Sequence, residues 1–180
     1  PKNLQLGWEA LEKARAIGAK TQRERDWIEA LSTYYRDHDR LPVEARLLAY
    51  AKAMQQVTQR YPDDSEAAVF YALTLQASAS PADKTYANQL KSAAILEKLL
   101  ERDPQHPGVA HFLIHAYDYL PLAEKGLPAA RRYAGLAPAA SHARHMPSHI
   151  YSMVGLWEES IAANRSALEI QPDYYHSSDF

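Results

Sequence analysis

Cysteine is absent from the chain, which excludes a disulfide framework and a thiolate metal site and leaves the redox compartment open. An excess of either charge is missing too. The 20 Lys and Arg face 22 Asp and Glu, for a formal net charge of −2, so there is no electrostatic footprint for nucleic acid or an anionic membrane. Long apolar runs are also lacking: the longest, Ala67 to Leu75, has nine residues including Tyr71 and Thr74, against the roughly 20 that a membrane span requires. It reads as a segment of a core helix. Glycines are few, and Gly108, Gly126, Gly135 and Gly155 form no phosphate-cradling loop. Neither an H-E-x-x-H metalloprotease motif, nor the E-x-x-H of di-iron bundles, nor a G-x-S-x-G elbow occurs. The chain opens at Pro1 without an initiator methionine or a signal-peptide pattern, as expected of a processed chain or a fragment of a longer protein, soluble and either cytoplasmic or periplasmic.

What is present is a folded composition, 47% apolar and 23% charged over 180 residues, enough for one domain or a short solenoid with a continuous core. Every long segment has helical period, and no sustained strand alternation occurs. The spacing predicts a first helix over Leu4 to Ile17, N-capped by Asn3 and stopped by Gly18, with Leu4, Trp8, Leu11 and Ala14 on its buried stripe. Thr21 and Glu24 form a capping box for a second helix to about Arg36, burying Trp27, Ile28, Leu31 and Tyr34 or Tyr35. Pro42 starts a third helix that ends before Tyr61-Pro62. Asp63 and Asp64 cap a fourth through Gln76, with Ala68, Tyr71, Ala72 and Leu75 inward. After a loop of small residues, Ala77 to Asp83, a fifth helix from Lys84 to Arg102 carries Leu90, Ala94, Leu96, Leu99 and Leu100. Further helices are expected from Pro107 to Tyr119, from Pro128 to before Pro138 after a turn holding Pro121 and Gly126, from Ala140 to Val154, and from Leu156 to Ile170. Pro147 either kinks its helix or makes it start near Met146.

A repeat organises the second half. His111-Phe-Leu-Ile-His115-Ala-Tyr117 returns 34 residues later as His145-Met-Pro-Ser-His149-Ile-Tyr151, and the same interval separates Pro104, Pro138 and Pro172, Arg131 and Arg165, and His142 and His176. A shift that recurs across several residue types marks a structural repeat, because equivalent side chains occupy equivalent environments. From Pro62 to Pro104 the interval is 42 residues, which places an insertion in the loop and lengthened helix between them.

Helix hairpins of this period resemble the tetratricopeptide repeat (TPR). Tyr117 and Tyr151 hold its Tyr place, Leu113 its Leu place, Ala167 a small place, and Pro62, Pro104, Pro138 and Pro172 its terminal proline. The pattern's Gly is replaced by Ile114 and Ser148, its Leu by Pro147 in the last repeat, and an aromatic by Asn164. The resemblance implies an all-α fold, a right-handed α-solenoid of antiparallel helix hairpins with about nine helices. The whole chain would be one such domain, with regular repeats over 107–138 and 141–172. The H-x3-H followed by H-x-P-x-H-I-Y is also similar to a group of longer, functionally uncharacterised bacterial repeat proteins, a likeness that implies no activity.

Residues four apart on a helix lie about 5–6 Å from each other, so His111 and His115 share a face, as do His145 and His149. Each pair lies about 100° around the helix from the stripe made in the first case by Ala110, Leu113, Ile114 and Tyr117. First helices of successive repeats line the concave surface in TPR proteins, and the resemblance implies that these imidazoles do so too, with Asp118 and His142, and next His176 and Asp179. The principal reading is a non-catalytic scaffold that binds a peptide or protein partner in a groove lined by His111, His115, Asp118, His142, His145 and His149. The alternative is a transition-metal-binding protein or metal-dependent enzyme whose ligands are His111, His115, His145 and His149, with Asp118 as an oxygen donor and Zn, Ni, Cu or Fe as the ion. Truncated repeat ends would promote self-association.

Overall fold

A computed structural model of the chain describes residues 2–170. It contains ten helical segments and no strand among the described residues. By compactness the chain forms two units, Pro1–Asn88 and Gln89–Phe180.

The first unit holds α1 (Lys2–Ile17), α2 (Gln22–Tyr35), α3 (Val43–Arg60) and α4 (Ser65–Ala77), each packed on the next. Helix α1 begins at Lys2, so Asn3 lies inside it rather than capping it. Gly18, at φ +81°, ends it in the left-handed conformation that favours glycine. The Thr21–Glu24 capping box is present in both directions. Along α2 the fully buried positions are Ala30 and Ser32, while Trp27, Ile28, Leu31, Tyr34 and Tyr35 are half-buried. The core is built on Met54, Val57, Val69, Ala72 and Leu75.

Asp64 ties α2 to α4. As N-cap of α4 it accepts from the Ala67 N–H at 3.2 Å, while Arg23 and the Trp27 indole of α2 donate to its other oxygen at 2.6 and 3.2 Å. Burial alone would push the Asp64 carboxyl up, but the bonds from Arg23, Ala67 and Trp27 together hold it below its ordinary value. The stabilisation it gives is therefore complete above the unfolded-state pKa of about 3.9 and is lost as pH falls through the depressed folded value. Asp64→Ala should destabilise by about 2–3 kcal/mol, the sum of a lost cap and a charge-assisted bond. Urea titrations should show the deficit at pH 7 and see it vanish in strong acid; an equal deficit at both would contradict this account.

The second unit holds α5 (Ala87–Arg102), which starts at the boundary, then α6 (Pro107–Tyr117), α7 (Ala123–Leu136), α8 (Ser141–His145), α9 (Pro147–Met153) and α10 (Trp157–Ile170). Helix α5 begins three residues later than its periodicity suggests, because Asp83 accepts from the Thr85 and Ala87 N–H groups and Tyr86 adopts φ +56°. Gln89, Ser92, Ala93, Leu96 and Leu99 face inward, and Leu90 and Ala94 outward. Helix α7 starts at Ala123, five residues before Pro128, so the expected turn around Gly126 is helix instead. Gly126 is needed for packing. A Cβ there would lie 2.7 Å from Ile150 Cδ1 and 3.1 Å from Tyr117 Cβ, so its bareness lets α7 approach both α6 and α9.

Segments α8 and α9 are one helix interrupted at Met146; counted together they bring the described helices to nine. Met146 keeps helical angles, and Pro147 opens α9 at a first-turn position where its missing N–H costs little. The interruption accompanies Pro147 within a helix that starts at Ser141, before Met146. Packing runs α6 on α7, α7 on α8 and α9, and α8 and α9 on α10. The order is two successive helix hairpins, with α6 and α8–α9 as the equivalent first helices.

Candidate functional site

The site is built on those two first helices. Helix α6 opens on Pro107, with His106 as N-cap accepting from the Val109 N–H through Nδ1 at 3.3 Å. From there Val109, Ala110, Leu113, Ile114, Ala116 and Tyr117 are buried, which turns His111 and His115 to the flank, half-buried. The second helix repeats the arrangement, with Ala143, Met146 and Ile150 buried and His145 and His149 half-buried. His142 is exposed.

The imidazoles make one contiguous layer. His111 and His115 oppose their Nε2 atoms at 3.0 Å, and His145 and His149 do the same at 3.1 Å. Across the hairpins, the rings of His115 and His149 lie 5.9 Å apart and those of His111 and His142 5.0 Å, with His142 to His145 at 6.1 Å. Asp118, just past the end of α6, accepts from the His149 Nδ1–H at 2.8 Å and so joins one hairpin to the next. The rings of residues 111 and 145 therefore belong to the same layer, reached through 142. His176 and Asp179 lie outside the described residues.

Two partners of this layer escape a reading by spacing, because both come from second helices. Tyr133 of α7 places its hydroxyl 3.1 Å from His111 Nδ1, and Asn164 of α10 places Oδ1 2.6 Å from His145 Nδ1. Asn164 carried a signal: it replaces the aromatic that the repeat pattern expects. Its amide orientation is determined, because Nδ2 donates to the Ser160 carbonyl at 3.0 Å and a carbonyl can only accept.

Burial and neighbours set the charge. Burial first, then the adjacent histidines 115, 142 and 149, push His111 down to about 4. Burial likewise lowers His115 and His142, and His149 or His145 adds to it. His149 moves the opposite way, raised by its bond to Asp118 against the cost of burial. Near neutrality His111, His115 and His142 are thus held toward their uncharged form, while Asp118 shifts His149 toward its charged one. No group of three or more His, Cys, Asp or Glu placed to hold a metal ion occurs among the described residues.

The geometry defines an all-α helix-hairpin fold of the solenoid class with a polar imidazole layer on its first helices. No family model and no curated protein sequence matches the chain. Among solved structures it is similar to MamA, a TPR-like helical protein. MamA from residue 41 to its end from Desulfovibrio magneticus RS-1 superposes with a TM-score of 0.66 at 13% identity, over 88% of this chain and 81% of that one. For MamA AMB-1 the TM-score is 0.63 at 16% identity, over 95% and 91%, and for MamA MSR-1 it is 0.57 at 16% identity, over 93% and 97%. At these identities the likeness concerns the fold. No helix among the described residues is long and apolar enough to cross a membrane.

Proposed function

We propose that the chain is a TPR-like, non-catalytic scaffold, one domain of a longer repeat protein, that binds a peptide or protein partner over its imidazole layer. The observation that carries this is the gathering of His111, His115, Asp118, His142, His145 and His149 from two successive hairpins onto one partly exposed face. The opposite stripe of each helix, Val109, Ala110, Leu113 and Ile114 on the first and Ala143, Met146 and Ile150 on the second, is committed to core. Neutral imidazoles offer both donors and acceptors together with flat apolar bodies, which suits an extended peptide whose backbone needs both. Nothing in the layer supplies a nucleophile with an aligned base: Ser148 is buried and its hydroxyl points at Asn164.

A displayed peptide library panned on the untagged chain tests this. Enriched peptides should lose affinity about tenfold or more, a change of at least ~1.4 kcal/mol, in a His111→Ala/His145→Ala double variant. They should be unaffected by Ile161→Ser on α10. Failure to enrich any peptide, or affinity indifferent to the double substitution, would sink the reading. Trp157, Ile161 and Leu168 stand 63%, 52% and 43% exposed on α10 and support self-association through that helix, for which light scattering is the measurement.

A further inference from the structure

The pair His145–His149 has two ring nitrogens that face each other and need something electron-poor to share. Asn164 Oδ1 is held toward His145 by the bond of its own Nδ2 to Ser160, so His145 must present Nδ1–H. Asp118 faces His149 Nδ1 with a carboxylate oxygen, so His149 must present Nδ1–H as well. Were both rings neutral, with one proton each, both Nε2 atoms would be bare lone pairs facing each other across 3.1 Å. Lone pairs do not attract. Either a second proton on His149, which the Asp118 carboxylate favours, lies between them, or both nitrogens turn their lone pairs to an ion set off the line that joins them. The pair His111–His115 has no such conflict, because the Tyr133 hydroxyl can donate to His111 Nδ1 and leave a proton on its Nε2.

Two further features suit an ion. An imidazole that ligates a metal through Nε2 has its other N–H fixed by a carboxylate or carbonyl acceptor, which sets tautomer and ring direction; here both rings have one, a carboxylate for His149 and an amide oxygen for His145. Ligand nitrogens at about 2.1 Å from one ion are separated by about 3.0–3.4 Å for angles between a right angle and tetrahedral, the spacing seen. The second feature is Asp118 Oδ1, buried and without a hydrogen-bond partner. A closed-off carboxylate oxygen without a partner calls for more positive charge nearby than a neutral imidazole provides, from an ion or from a protonated His149.

We propose that His145 and His149 form a two-imidazole pincer for a divalent transition-metal ion of the Zn, Ni or Cu class, with Asp118 and Asn164 as the positioning residues that lock the tautomers. Only two protein donors converge, so the remaining coordination positions are open to water or to a donor group of a bound partner. The site lies on the same face as the scaffold reading but stands without it, since the chain can hold an ion and no peptide.

The test is titration calorimetry of the untagged, chelator-stripped full chain with Zn²⁺ alone. One ion per chain is expected. His149→Gln should abolish the heat, while His38→Gln, outside the layer, should leave it unchanged. Asn164→Leu should weaken Zn²⁺ binding by about 10–100-fold, the usual cost of losing an outer partner, and Asn164→Asp should strengthen it. Circular dichroism of each variant separates lost binding from lost folding. Absence of Zn²⁺ binding by the folded wild-type chain would overturn the proposal and assign the gap to a shared proton. So would binding that survives His149→Gln. Peptide binding measured in the same stripped protein reports on the scaffold reading independently.

Discussion

Ile150→Ala is expected to destabilise the second unit by about 3–4 kcal/mol, in the upper part of the range for a fully buried aliphatic residue. Ile150 has no exposed surface and fills the space that Gly126 leaves open between α7 and α9. Removal of its outer carbons leaves a cavity with glycine for one wall, and a glycine has no side chain that could move in to fill it. Partial collapse, which softens many such substitutions, is therefore blocked. Ile150→Val, which removes one methylene, should cost only about 1 kcal/mol. The denaturation midpoint should fall with little change in the denaturant slope. A loss under about 1.5 kcal/mol for the alanine variant would show that the helices close on the gap, and that Gly126 does not set their approach. Because His149 precedes Ile150 and projects from the same short helix, the substitution should also loosen the His149–Asp118 bond.

Arg46→Ala should cost about 3 kcal/mol, an unusual penalty for an arginine. Arg46 is 5% exposed. Its Nε donates to the Leu41 carbonyl at 3.3 Å and its Nη1 to the Tyr34 carbonyl at 3.0 Å, while the guanidinium carbon stands 4.8 Å from the Tyr34 ring centroid. Tyr34 is in the last turn of α2, where carbonyls lack intrahelical donors and a cation is favoured. The substitution leaves two part-buried carbonyls short of a donor and removes the cation from the aromatic face. Arg46→Lys should recover only part, leaving a deficit of about 1–2 kcal/mol, because a single ammonium cannot span both carbonyls as the planar fork does. Thermal or urea unfolding of the three proteins checks this ranking. A lysine variant as stable as the wild type would mean that charge alone, not the fork, holds α2 to α3.

Much of this architecture was legible in the chain because its signals are local. Thr21 and Glu24 announce a helix start by their own spacing, Gly18 and Gly155 sit where a left-handed residue must stop a helix, and the two H-x3-H pairs announce equivalent surfaces by recurring at one interval. Where the signal is not local, the reading failed. Helix α7 has Leu122 at its N-cap with no side-chain cap bond, so nothing marks its beginning. Pro121, Gly126 and Pro128 then look like turn chemistry, although Gly126 is there for the close approach of two neighbouring helices. On α5 Leu96 and Leu99 face inward as their spacing indicates, but Leu90 and Ala94 do not, because Gln89 and Ser92 are buried where polarity argues for exposure. Spacing puts the histidine pairs and Asp118 on one face, but not the bonds that orient the rings. Asn164 and Tyr133 reach it from second helices, and Asp118 bridges hairpins 31 residues apart.

The central claim is that matching histidines of two hairpins are brought together and locked by acceptors. Long-range proton–nitrogen correlation spectra of the ring nitrogens test it most directly in the metal-stripped chain. The account predicts a protonated Nδ1 at both His145 and His149, with the His149 proton lost from its bonded position in Asp118→Ala. A bare Nδ1 at His149 in the wild-type chain, or a His149 signal indifferent to residue 118, would contradict it.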